Sequence, residues 1–186
     1  MSKRIKNGHI FCLESLWAAS TEYPRQSVLP ILEIIKMAYV SKISYLSCNT
    51  KAEFLYNLSL ANKKYGILYL AFHGKSGKLL LPNEDEITIE ELGKAMGKNF
   101  RGVGVHFASC NVMDEDEEII KKFIKKTGVS FVSGYTKPVY WLPSCAVDIV
   151  YIDYLLDNWT NPELAVEKMK EQIIISDKNL GFRFIS

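Results

Sequence analysis

The sequence lacks most of the marks that assign a chain to a class at once. Its four cysteines, at 12, 48, 110 and 145, include no C-x-x-C pair, which removes the paired ligands of a structural zinc site. Four cysteines in 186 residues are also too sparse for the disulfide framework of a small secreted domain, so reduced thiols and a cytoplasmic chain are expected. No G-x-G-x-x-G or G-x-x-x-x-G-K-[ST] follows any apolar run, so a flavodoxin-like or TIR-like nucleotide-binding domain would be without its phosphate cradle. Charge of one sign is not in excess: Lys plus Arg number 23 and Asp plus Glu 21, a formal net charge of +2. A nucleic-acid partner calls for a basic face, and none is expected. No apolar run approaches the length of a membrane span. The stretch 8–13 is too short for a signal-peptide core and is interrupted by Glu14, so neither a membrane partner nor a leader is expected. Repeats, low-complexity tracts and interdomain linkers are missing too. What is present, 48% hydrophobic and 24% charged residues, describes one globular domain over 1–186 with no cofactor and no metal.

Along the chain, apolar runs alternate with helical patterns. Strands are expected at 8–13, 43–47, 66–72, 103–108 and 129–132, with an edge strand at 180–185. The runs G-I-L-Y-L-A-F and V-G-V-H-F-A are nearly unbroken, as in strands covered on both faces. Helices are expected at 26–40, 50–64, 88–97, 115–127, 144–158 and 162–176. Thr50 with Glu53 and Thr88 with Glu91 have the spacing of capping boxes, in which a hydroxyl and a carboxylate satisfy orphan amides at a helix start. Acids at 114–118 and lysines at 121, 122, 125 and 126 suit the two ends of the helix between them. This alternation predicts an α/β fold with a mainly parallel central sheet and helices on both faces. In such folds chemistry sits beyond the carboxyl ends of the strands.

Two of those ends carry His73-Gly74 and Cys110. A thiol attacks a carbonyl only as thiolate and needs a base, a cation or a helix N-terminus to ionise it. Cys110 precedes an expected helix whose amides favour the thiolate, although the acids at 114–118 oppose them. His73 is the base if its strand neighbours that of Cys110. Gly74 lets a substrate carbonyl approach, and its amide with that of Cys110 is a candidate oxyanion hole. A cysteine after an apolar strand is also how a buried structural thiol looks, and His-Gly is a common turn. Their joint occurrence at successive strand ends points to chemistry.

The strings L-Y-L-A-F-H-G and V-H-F-A-S-C-N, with a Thr-capped helix between them and F-V-S-G-Y-T-K-P-V-Y-W-L-P after them, resemble the caspase-like cysteine peptidases, most of all their CHAT branch. The resemblance covers about residues 66–175. It implies a three-layer caspase-like fold and a cysteine endopeptidase with His73 as general base and Cys110 as nucleophile. The amides of Gly74 and Cys110 would form the oxyanion hole. It also implies a protein or peptide substrate, activation by a partner protein or ligand, and a role in bacterial defence or cell death. The interval from His73 to Cys110 is shorter than the roughly 50 residues of true caspases. In A-S-C-N-V only the Cys matches the caspase pentapeptide Q-A-C-[RQG]-G. Aspartate specificity is therefore not implied, and a basic residue is expected at P1, the substrate residue whose carbonyl is attacked. An idle caspase-like interaction module is the rival reading.

Glu14 and Asp148 are candidate partners for a basic P1 side chain, although a solvated or capping carboxylate is the simpler role for each. Arg25 is the analogous candidate for an acidic P1. Trp141 and Tyr140 are candidate walls of the substrate groove. His106, inside a strand, is expected to be a buried, hydrogen-bonded histidine, His9 a surface residue and Cys145 a packing residue.

Overall fold

The computed structural model describes residues 7–17, 26–39, 41–61, 64–172 and 181–186. In chain order its first elements are β1 (Ile10–Glu14), α1 (Leu29–Ala38), β2 (Ile43–Ser47), α2 (Lys51–Leu60) and β3 (Ile67–Ala71). Three short strands follow, β4 (His73–Lys75), β5 (Lys78–Leu80) and β6 (Glu86–Thr88), then α3 (Ile89–Met96) and β7 (Gly104–Phe107). The chain continues with α4 (Glu117–Thr127), β8 (Phe131–Tyr135), α5 (Trp141–Asp157), α6 (Pro162–Gln172) and β9 (Phe182–Ile185).

Six strands form the central sheet in the order β2-β1-β3-β7-β8-β9. All neighbours are parallel except β8 and β9, which are antiparallel. Every residue of β1, β3, β7 and β8 is buried, because helices cover both faces. Alternate side chains separate into two cores. Phe11, Leu13, Leu68 and Leu70 pack against α2, α3 and α4, whereas Ile10, Cys12, Ile67 and Tyr69 pack against α1, α5 and α6.

Both capping boxes form. Thr50 and Thr88 each accept the amide of the residue three ahead, and Glu53 and Glu91 reach back to the cap amides. Lys51, the first residue of α2, binds Glu91 of α3 at 2.7 Å and ties the two helix starts together. α4 begins at Glu117, two residues later than the charge pattern suggests, because the Asp116 side chain accepts the amide of Glu118 and caps it there. α5 begins at Trp141, earlier than the expected 144, and holds Pro143 in its first turn, where the missing N–H costs nothing. The segment 73–88, where no strand is expected, forms a second, three-stranded sheet, antiparallel and in the order β4-β5-β6. The end of the expected last helix, 173–176, lies outside the described residues.

Candidate active site

β3 and β7 are adjacent and parallel, with Leu70 opposite Phe107, so their carboxyl ends emerge at one edge of the sheet. Ser109 stitches these ends together. Its hydroxyl donates to the Leu70 carbonyl at 3.2 Å and accepts the Phe72 amide at 3.2 Å, while the Ala108 amide reaches the same Leu70 carbonyl at 2.9 Å. The next residue on one chain segment is His73, on the other Cys110.

A Cβ on Gly74 would overlap the carbonyl oxygen of Cys110 and stand 2.6 Å from Val112 Cγ2 and 3.1 Å from Ser109 Cβ. Only glycine permits this approach. The expected role of Gly74, giving room to a substrate, is thus joined by a structural one: it seats the His73 strand directly on the Cys110 turn.

The exposed imidazole of His73 lies with Nε2 2.7 Å from the carbonyl oxygen of Trp17. A carbonyl only accepts, so Nε2 carries the proton and the neutral ring has its lone pair on Nδ1. The Trp17 indole meets the same ring edge to face, with centroids 5.2 Å apart. The half-buried Cys110 thiol is held by Val139, whose amide donates to Sγ at 3.3 Å and whose carbonyl lies 3.6 Å from it. Two more bonds strap the Cys110 turn to the segment after β8: Asn111 N–H to Lys137 O at 3.2 Å and Met113 N–H to Tyr135 O at 3.0 Å. Asn111 takes a left-handed φ of 56°, which asparagine tolerates better than most residues.

Among the described residues no hydrogen bond joins His73 to Cys110. α4, expected from 115, begins at Glu117, where Asp116 caps it, and none of its amides is bonded to the sulfur. The amide delivered to the sulfur comes from Val139 instead. The Cys110 amide has no partner among the described residues. Gly74 pairs with Leu79, next to the Lys75–Lys78 pair that closes the two-residue hairpin loop. That is a non-hydrogen-bonded position, so the Gly74 amide points out of the ladder.

The expectation that Glu14 and Asp148 face a substrate side chain is corrected. Glu14 is 2% exposed. Its oxygens accept from Trp17 Nε1 at 2.8 Å, Ser27 Oγ at 2.7 Å, Val28 N at 2.8 Å and Tyr45 OH at 2.5 Å. Asp148 is equally buried and accepts from Tyr69 OH and Tyr135 OH at 2.5 Å each and from His106 Nε2 at 3.0 Å. A buried carboxylate needs such donors in place of water, and here the chain itself supplies them. His106 is buried, as strand alternation indicates, with Nδ1 2.9 Å from Ser133 Oγ. His9 is partly buried and accepts the Lys42 amide on Nδ1 at 3.1 Å. Arg25 lies outside the described residues. Trp141 is the first residue of α5, not part of a loop, and packs partly buried against the α1/α5 core. Tyr140 and Leu142 beside it are exposed.

Burial pushes the other thiols away from reactivity. Cys48 and Cys145 are each raised from 9.0 to about 12, by loss of solvent first, with Glu53 adding to Cys48 and Asp148 and Glu14 to Cys145. Cys12 is also raised, for the same reason and by Glu14. Sequence reasoning missed Trp17 and Val139. Val139 acts on the site through backbone atoms and Trp17 through its carbonyl as well as its ring, and backbone atoms leave no signal in residue identity.

The mainly parallel six-stranded sheet with helices on both faces matches the fold of solved caspase-like cysteine peptidases. The chain is similar to the RgpB pro- and mature-domain complex of Porphyromonas gingivalis, with TM-score 0.56, 11% identity, and coverage of 92% of this chain and 44% of that one. It is similar to caspase-1 from Spodoptera frugiperda, with TM-score 0.56, 10% identity, and coverage of 99% and 88%. A secreted C11 cysteine protease from Bacteroides thetaiotaomicron, solved with an irreversible peptide inhibitor, gives TM-score 0.55, 10% identity, and coverage of 87% and 57%. The chain thus spans less than half of the RgpB chain and most of the insect caspase. At these identities the likeness is one of fold. The chain belongs to the family of unknown function DUF6642, which matches residues 7–185. No curated protein matches it. Among the described residues no helix is long and apolar enough to cross a membrane.

Proposed function

We propose that this protein is a cysteine endopeptidase in which Cys110 attacks a peptide carbonyl and His73 moves the proton. The observation that carries the reading is the seating of His73-Gly74 on the Cys110 turn at one sheet edge, through a contact only glycine allows. Nδ1 of His73 is the free base, because Nε2 is committed to Trp17. It takes the thiol proton, directly or as the substrate settles, and returns it to the leaving amine. The Val139 amide is placed to hold the negative sulfur. The outward Gly74 amide and the unpartnered Cys110 amide are the candidate donors to the tetrahedral oxyanion.

The His-Gly and Ser-Cys strand ends extend the proposal to the CHAT branch, acting in the cytoplasm in bacterial defence or cell death. In the structure the imidazole and the thiol are bonded to Trp17 and Val139 and not to each other, which supports activation by a partner or ligand. The same observation favours the second reading, an idle interaction module. Modification of Cys110 by a peptidyl acyloxymethyl ketone separates the two. A peptidase is labelled at Cys110 by intact-protein mass spectrometry, and both Cys110→Ala and His73→Ala lose the labelling. An idle module is alkylated by iodoacetamide but not by the peptidyl reagent.

A further inference from the structure

A groove of about 260 Å³ runs between α3 and α4, on the face of the sheet away from α1, α5 and α6. Its floor is apolar, lined by Ile89 and Gly93 of α3 and by Ile119 and Phe123 of α4. Gly93 keeps that floor bare, since a Cβ on it would stand 3.1 Å from the Phe123 ring and 3.9 Å from Lys126 Cδ. Ile119 is 44% exposed, although Ile120 and Phe123 beside it are buried. The rim is charged. Lys122 and Lys126 stand there with Glu90, and the spacing of Ile119, Lys122, Phe123 and Lys126 puts all four on one face of α4. Glu90 is bonded to Lys94 at 3.0 Å. Glu118, four residues before Lys122, is taken by Lys121 at 3.3 Å. Among the described residues Lys122 and Lys126 make no ion pair or hydrogen bond, and like charges four residues apart on a helix repel. Both project toward the groove, because after Lys94 they too hold the Glu90 carboxyl below its ordinary range.

We infer that this groove docks a partner protein through a short acidic segment that carries one apolar anchor side chain. Size argues against a small-molecule ligand, whose pockets run from about 300 to 1,000 Å³. The smaller groove here has room for a single Leu, Ile or Phe side chain, which would cover Ile119 and the bare α3 backbone at Gly93. Charge decides the flanks. With Glu90 already paired, the two lysines leave the rim positive, and carboxylates beside the anchor answer them. A basic segment would add to the repulsion between Lys122 and Lys126. Nucleic acid and anionic lipid call for a broad basic face, which two lysines beside Glu90 do not make. Neither His73 nor Cys110 lines the groove, so the inference holds whether or not the chain is a peptidase.

The test uses short fluorescein-labelled peptides with Leu, Ile or Phe set between Asp and Glu residues, titrated with the full chain and read by fluorescence anisotropy. At least one of these acidic probes should bind, and its counterpart with Ala as anchor should bind roughly tenfold more weakly or worse. A counterpart with Lys in place of the acids should not bind. The double variant Lys122→Glu, Lys126→Glu changes exposed side chains only. It should weaken the acidic probe by about tenfold and bind the Lys counterpart instead. Misfolding cannot produce such an exchange of preference. Cys110→Ala should bind the acidic probe as the unaltered chain does, which keeps this outcome separate from that of the peptidase test. No binding of any acidic probe up to about 1 mM, equal affinity for the Ala counterpart, or binding unmoved by the charge reversal would overturn the assignment. So would tighter binding of a labelled DNA oligonucleotide or of phosphatidylserine vesicles, or self-association of the chain, that the same reversal abolishes.

Discussion

The Cα of Gly74 lies so close to the Cys110 carbonyl that no side chain fits between them. The strand end with the imidazole and the turn with the thiol are therefore built as one unit. Two neighbours sharpen the contact, Val112 Cγ2 at 2.6 Å and Ser109 Cβ at 3.1 Å from a Cβ placed there. Because one obstacle is backbone, a rotamer change cannot relieve it. Gly74→Ala should cost about 1–3 kcal/mol and slow Cys110 labelling more than the loss of folded protein explains. Thermal unfolding and labelling rate on the same samples check both parts.

The four thiols should differ sharply in reactivity. Cys12, Cys48 and Cys145 are buried and held neutral, whereas Cys110 is only partly covered. At neutral pH iodoacetamide should modify Cys110 alone in the native protein and all four after unfolding. Cys48→Ala and Cys145→Ala should keep peptidase activity, and Cys110→Ala should abolish it. Inactivation by Cys145→Ala would move the nucleophile to α5 and break the assignment.

The same raised thiols set a pH dependence of stability. In the unfolded chain Cys48 and Cys145 ionise near the ordinary 9.0, but in the fold only near about 12. The fold thus favours their neutral form, and that contribution is complete below pH 9 and fades as pH rises toward 12. Denaturant melts from pH 8 to 11 should show stability falling across this window. The fall should be shallower in the double variant Cys48→Ala, Cys145→Ala; an unchanged slope would assign the alkaline loss to other groups.

Much of this was legible in the residues, and the part that was not has a physical cause. Thr50–Glu53 and Thr88–Glu91 mark helix starts because a capping box is written in side chains. The unbroken apolar runs mark β3 and β7 because both faces of those strands are covered. β4, β5 and β6 stayed hidden because three-residue strands carry no period to read. His73 and Cys110 were visible as side chains at strand ends. The Trp17 and Val139 carbonyls that orient them were not, since every residue has a carbonyl and only the fold decides which one matters. Glu14, at a strand end, and Asp148, inside α5, were weighed as partners of a basic substrate side chain, and in the fold the chain's own donors fill both. Sequence shows a carboxylate near a strand end but not the tyrosines, serine and indole that surround it.

Asp148 should behave as an internal anchor of α5. Its carboxylate gathers Tyr69 from β3, His106 from β7 and Tyr135 from β8 beneath one helix. Asp148→Ala would leave the buried Tyr69 and His106 donors without an acceptor, Tyr135 keeping only the Ser144 carbonyl at 3.2 Å, and should cost about 3–5 kcal/mol. Tyr135→Phe removes one bond to a carboxylate, which also has two other donors, and should cost about 1.5–3 kcal/mol. Chemical denaturation of the two variants gives the ordering, and a Tyr135→Phe loss as large as that of Asp148→Ala would refute the shared-anchor description.

Trp17 offers the last separation, because it serves the site in two independent ways. Its indole N–H donates to Glu14 at 2.8 Å, and its ring meets the His73 imidazole edge to face at 5.2 Å while its carbonyl holds Nε2. Trp17→Phe keeps an aromatic edge near His73 and deletes the bond to Glu14. It should lose about 1.5–3 kcal/mol of stability with Cys110 labelling, per folded molecule, changed less than threefold. Trp17→Ala deletes both. An aromatic pair of this kind contributes about 0.5–1.5 kcal/mol, so a less constrained imidazole should slow labelling by roughly two- to tenfold beyond the Phe variant. The backbone carbonyl survives in both variants, which is why neither should match His73→Ala, where labelling is lost altogether. Stopped-flow labelling with a peptidyl acyloxymethyl ketone, normalised to the folded fraction, reads the difference. Equal rates for Trp17→Phe and Trp17→Ala would show that the carbonyl alone orients His73.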